Sequence, residues 1–118
     1  MILVLILIAM IQATGRAAGP DGVEGKEVFS RRCSGCHALD GDKEGPRLRG
    51  VFGRKAGSVA GFRYSEALRR SRIVWDEGLL EKWLENTEAV VPENDMEFRV
   101  ANPAERRALV EYLKSVAK

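Results

Sequence analysis

Apolar and polar positions divide the chain into an unbroken apolar stretch, a few helical stripes and two long segments with little periodicity. Residues 2–11 are uniformly apolar and are followed by small or polar residues through Ala18. Val28, Phe29, Arg32, Cys33 and Cys36 fall at helical spacing, which predicts a helix over residues 23–36. Residues 38–61 are rich in glycine and charge and read as loop. Residues 65–70 suit a short helix. Residues 75–86 suit a better one, with Leu79, Leu80, Trp83 and Leu84 as its apolar stripe. Residues 89–101, which include Pro92, read as loop again.

The last element has the clearest start signal. Asn102 is a good N-cap, Pro103 suits the first helical position, and Glu105 stands where a capping box places its acid. Leu109, Tyr112, Leu113 and Val116 then mark a buried face. No stretch alternates strongly enough to be a strand, so the expectation is an all-α fold of three to four helices with long loops. Long loops in a compact domain need something to order them, and a flat apolar cofactor would do so.

The 118 residues bound the chain to one domain. The apolar run of residues 2–11 is too short to span a bilayer comfortably and fits the core of a secretory signal. No Lys or Arg precedes it, so an uncleaved anchor or a buried helix stays open beside a cleaved signal. We therefore read residues 1–18 as a signal peptide or N-terminal anchor and residues 19–118 as the domain, with residues 19–22 as a flexible joint. A membrane enters only if the N-terminus is uncleaved, and the expected location is the periplasm or another exported compartment.

About 100 residues bury a modest core, and chains of that size often rely on a cofactor, a metal or a crosslink. Formal net charge is +2, or +1 without Arg16, which argues against a nucleic-acid partner.

The chemistry is concentrated in Cys33-Ser34-Gly35-Cys36-His37, which gathers both cysteines and the one histidine of the sequence. This spacing reads as c-type haem attachment. Two thiols about one turn apart can bond to the vinyl groups of one porphyrin, and the adjacent imidazole then meets the iron. A zinc site would want four ligands, and no further Cys or His supplies the fourth. A thioredoxin-type redox pair belongs beside a βαβ pattern, which is absent. A structural disulfide across so small a loop would constrain the unfolded chain little. The expected cofactor is one covalent haem c. Its sixth ligand would be Met96, the one methionine beyond the leader, which sits in the polar loop Val91-Pro92-Glu93-Asn94-Asp95-Met96. His/Met ligation raises the reduction potential.

These residues resemble the class I cytochromes c, close to the mitochondrial and related bacterial members. The likeness runs from Gly25 to Lys118 and includes Gly45-Pro46-Arg47-Leu48-Arg49-Gly50-Val51-Phe52-Gly53-Arg54, Gly61-Phe62-Arg63-Tyr64, Trp75, the 92–96 loop and Phe98. The resemblance implies the cytochrome c fold, with His37 and Met96 on the iron. It implies that the Pro46 carbonyl meets the outer nitrogen of His37, a contact that fixes the ring. It places Arg54, Tyr64 and Trp75 near a buried propionate, Phe98 at the haem edge, and Gly25 and Phe29 across Leu109 and Tyr112.

Several positions depart from the relatives. Trp83 stands in place of a tyrosine near the ligand sulfur, and an indole only donates. Leu68 stands in place of an asparagine that helps to hold a water. Glu93 replaces a glycine, Asp95 a lysine, and Asn94 a threonine that bonds a propionate, which an amide could also do.

The implied function is that of a soluble one-electron carrier in a respiratory or related chain, a monomer without substrate turnover of its own. Its partners would be redox proteins: a dehydrogenase or bc1-type complex as donor, an oxidase or reductase as acceptor. A haem protein that opens the Met96 side, peroxidase-like or ligand-binding, is the alternative. Relatives ring the haem edge with lysines. Here Arg31, Arg32 and Arg47 would stand on one side and Glu88, Glu93, Asp95 and Glu97 on the other.

Overall fold

The computed structural model describes residues 22–118, so the leader expected over residues 1–18 lies outside the described residues. Five helices follow in order: α1 Gly25–Arg32, α2 Glu66–Arg70, α3 Glu77–Glu85, α4 Thr87–Val90 and α5 Pro103–Ser115. Among the described residues, extended pairing is confined to an isolated antiparallel bridge between Lys55 and Val74. The fold is all-α, with one helix more than the upper expectation.

The boundaries differ from the periodicity in ways that hydrogen bonds explain. α1 stops at Arg32 rather than running to Cys36. The amides of Cys33 and Ser34 both turn onto the Phe29 carbonyl, and those of Cys36 and His37 turn onto Cys33. Residues 33–36 therefore form a tight turn that leaves the helix axis. α3 starts after Asp76, whose carboxylate accepts the Leu79 N–H at 2.8 Å. Trp75 lies just before this cap, and its amide donates to the Arg54 carbonyl at 2.9 Å. α4 occupies part of the segment expected to be loop; at four residues it is too short to leave a periodic imprint.

α5 begins as expected, with the Asn102 side chain accepting from the amides of Ala104 and Glu105. Glu105 does not close a capping box, however. Its carboxylate faces Arg31 at 3.4 Å and Arg32 at 3.3 Å, joining the ends of α1 and α5.

α1 crosses α5 at close range because Gly25 has no side chain. A Cβ there would stand 2.0 Å from the Ala108 carbonyl oxygen and 2.8 Å from Tyr112 Cβ. One turn on, the rings of Phe29 and Tyr112 meet at 5.3 Å. α3 is tied to α5 by Arg106, whose Nε donates to Glu81 at 2.7 Å and whose Nη1 donates to the Val100 carbonyl at 2.8 Å. Val28, Val100 and Leu109, at most 1% exposed, lie in the cluster between these helices. Burying each such side chain contributes about 1.5–3 kcal/mol. The segments between α1 and α2 and between α4 and α5 wrap the remaining side of this frame.

Candidate cofactor site

The two long segments and the helical frame enclose an apolar cavity. Its walls include Leu48, Val51, Leu80, Leu84, Leu109 and Leu113, with Trp75, Trp83 and Phe98 as the aromatic members. Cys33, Cys36 and His37 line it, and so does Met96. Pro46, Arg54, Tyr64 and Asn94 line it as well, so every site residue read from the sequence reaches the same space.

Cys33 is half-buried and Cys36 exposed, and neither forms a disulfide. Before attachment, burial pushes the Cys33 thiol up to about 11. His37 is buried, and its Nδ1 lies 2.8 Å from the Pro46 carbonyl oxygen. A carbonyl only accepts, so Nδ1 carries the proton and Nε2 keeps the lone pair a metal needs. Burial also lowers the His37 pKa, against the opposing pull of Pro46, which favours the neutral imidazole.

The ring is held as tightly from the other side. A Cβ on Gly45 would stand 2.1 Å from His37 Cε1, so only glycine lets the backbone pass. The Gly45 N–H meanwhile donates to the Cys36 carbonyl at 2.8 Å, which closes the attachment turn against this strand of loop.

Arg54 stands at the polar margin of the cavity. Its Nη2 donates to the Arg47 carbonyl at 3.0 Å, and burial holds its pKa below the ordinary guanidinium value. The Tyr64 hydroxyl accepts the Val59 N–H at 3.0 Å, which leaves its own proton to donate. Trp75 and Trp83 pack as a tilted pair at 5.2 Å.

A slot with apolar walls, a cationic margin, two thiols and a neutral imidazole fits an iron porphyrin with ionised propionates. A sequence model of the cytochrome c family matches residues 22–117. The chain belongs to the cytochrome c family.

As a cytochrome c it carries one covalent haem c and transfers electrons, and Cys33 and Cys36 have the spacing of the attachment motif. It is 44% identical over 87 residues to cytochrome c2 iso-2 of Magnetospirillum fulvum, covering 71% of this chain and 91% of that one. It is 38% identical over 102 residues to cytochrome c of Arabidopsis thaliana, covering 83% and 91%. The solved structure of cytochrome cH from Methylobacterium extorquens superposes with a TM-score of 0.73 at 33% identity, covering 77% of this chain and 94% of that one.

Two features of the cytochrome c site go beyond the sequence reading. Asn94, whose amide could serve a propionate, lines the cavity and is buried, with bonds inside its own loop: Nδ2 donates to the Val91 carbonyl at 2.9 Å, and Oδ1 accepts from Met96. Thr87, not singled out from sequence, is 1% exposed, and its hydroxyl accepts the Phe98 N–H at 3.2 Å. Its one sequence signal is a short polar residue directly after Asn86, at a helix end.

Proposed function

We propose that this cytochrome c is a soluble, exported carrier whose iron is held by His37 and Met96 and which shuttles single electrons without turning over a substrate. The observation that carries the reading is that His37, with its outer nitrogen committed to Pro46, and Met96 line one cavity. Haem supplies the one-electron couple. The chain's residues supply its attachment, its two axial ligands and a dry apolar wall. Arg54, Tyr64 and Trp75 serve the propionate side, and Phe98 covers the edge beside Met96. With His37 and Met96 both available to hold the iron, the chain would leave no position open to a substrate, which suits a carrier rather than a catalyst.

The proposed donor is a dehydrogenase or bc1-type complex and the proposed acceptor an oxidase or reductase, met by a monomer in the periplasm. The apolar run at residues 2–11 supports export. Among the described residues, no helix is long and apolar enough to cross a membrane.

A redox titration followed by visible spectra tests the reading. The ferric protein should show an iron–sulfur charge-transfer band, and the reduced protein should not bind carbon monoxide at neutral pH. Met96→Ala removes the band and lowers the potential. Carbon monoxide binding by the unaltered protein would establish instead the ligand-binding alternative.

A further inference from the structure

We propose that Asn94 and Glu88 are positioning residues for the sixth ligand: together they form a side-chain brace that sets the backbone carrying Met96. The proposal rests on the His37/Met96 reading above.

The Asn94 side chain is spent inside the loop. Oδ1 accepts the Met96 N–H at 2.9 Å and the Glu97 N–H at 3.1 Å. Nδ2 donates to the Val91 carbonyl at 2.9 Å and lies 3.4 Å from Glu88 Oε2. A primary amide offers two donors and two acceptor lone pairs. All four are used, and Asn94 is 4% exposed, so water competes little for them. Glu88 extends the brace from α4: its Oε1 accepts the Glu93 N–H at 2.9 Å. A carboxylate acceptor makes this a stronger bond than a neutral one.

The backbone shows what the brace opposes. Glu93 has φ 66° and Glu97 φ 42°, the left-handed region that side-chain-bearing residues seldom adopt. Such conformations persist where the surroundings over-determine them. Here the two amides in question, Glu93 N–H and Glu97 N–H, are those that Glu88 and Asn94 accept. Met96 lies between the two strained residues, so its backbone is placed by the same contacts. Beyond Glu97, the loop is fastened separately by the Phe98 N–H on Thr87 and the Val100 N–H on the Leu84 carbonyl.

A thioether is a neutral, weak donor. Its competition with an external ligand is therefore decided largely by how strongly the protein prefers the closed loop. An equilibrium between closed and open loops moves by the difference in free energy between them.

The test uses the haem-loaded protein and imidazole as the external ligand. Losing one net hydrogen bond at this site corresponds to roughly a tenfold rise in imidazole affinity of the ferric protein. Asn94→Ala should reach or exceed that rise and weaken the iron–sulfur band. Glu88→Ala should raise the affinity several-fold. Glu88→Gln should recover part of the loss, because its carbonyl still accepts the Glu93 N–H while its NH2 group cannot accept from Asn94 Nδ2.

Native-state amide hydrogen exchange reads the brace without reference to the iron. Met96 and Glu97 amides should exchange faster in Asn94→Ala, and Glu93 in Glu88→Ala. Unchanged imidazole affinity and unchanged exchange in both alanine variants would overturn the proposal. Equal effects of Glu88→Gln and Glu88→Ala would overturn the hydrogen-bonding role of Glu88. Met96→Ala separates the two readings: if it leaves imidazole binding unaltered, the ligand assignment fails, while the exchange data still judge the brace. Should Asn94→Ala not mature, Glu88→Ala, at an exposed position on α4, carries the test.

Discussion

Replacing Gly45 by alanine should injure this cytochrome more than its loop position suggests. The added Cβ would stand 2.1 Å from His37 Cε1 and 2.6 Å from both ring nitrogens, well inside contact distance. Neither side can retreat cheaply. The Gly45 backbone donates to Cys36 at 2.8 Å and accepts from Lys43 at 2.9 Å, and the imidazole is tethered to Pro46 at 2.8 Å.

Overpacking of this kind costs about 1–3 kcal/mol, and loss of the His37–Pro46 bond adds about 1 kcal/mol. The sum, about 2–4 kcal/mol, lowers Tm by roughly 10–25 °C for a domain of this size. Thermal unfolding of the oxidised holoprotein by circular dichroism measures it, with Gly41→Ala as control, since a Cβ at Gly41 meets nothing within 4 Å. A displaced imidazole should also move the reduction potential, which the control leaves in place. A Gly45→Ala protein that melts with the wild type and keeps its potential would refute the reasoning, because the loop would then have room to give.

Gly25→Ala should act through packing alone: a Cβ 2.0 Å from the Ala108 carbonyl forces α1 off α5, lowering Tm with little change in potential. The haem-free Cys33→Ala, Cys36→Ala chain should be largely unfolded, because the cofactor stabilises only the native state; a cooperative thermal transition in it would contradict this. Colour should survive acid–organic extraction of the denatured wild type, with an intact mass one haem above the polypeptide. Electron transfer to an acidic partner should be slow and change little as added salt shortens the Debye length from ~30 to ~8 Å. Arg31 and Arg32 both face Glu105, and Arg47 faces Asp42 at 3.2 Å, so their charge is already partly answered within the chain. A steep fall of stopped-flow rates with salt would reveal a basic docking patch.

The sequence by itself determined the cofactor and the main frame. The motif from Cys33 to His37 leaves few chemistries open, because thioether attachment and iron ligation need those groups at that spacing. The stripes of α3 and α5 were legible because a helix with one buried face must repeat its apolar residues near every 3.6 positions. The N-cap at Asn102 was legible because capping is local.

What tertiary structure alone decided are contacts between segments far apart in the chain. The end of α1 at Arg32 depends on how the attachment turn closes against Gly45. Glu105 is taken from its capping box by Arg31 and Arg32, a choice made only once α1 lies across α5. α4 is too short to carry a period, and it exists where Asn86 ends one helix and starts the next. The bonds of Asn94 within its own loop, to Val91 and to Glu88, exist because α4 brings Glu88 beside it. A polar side chain announces in sequence that it needs partners, but which partners it finds depends on what the fold brings within about 3 Å.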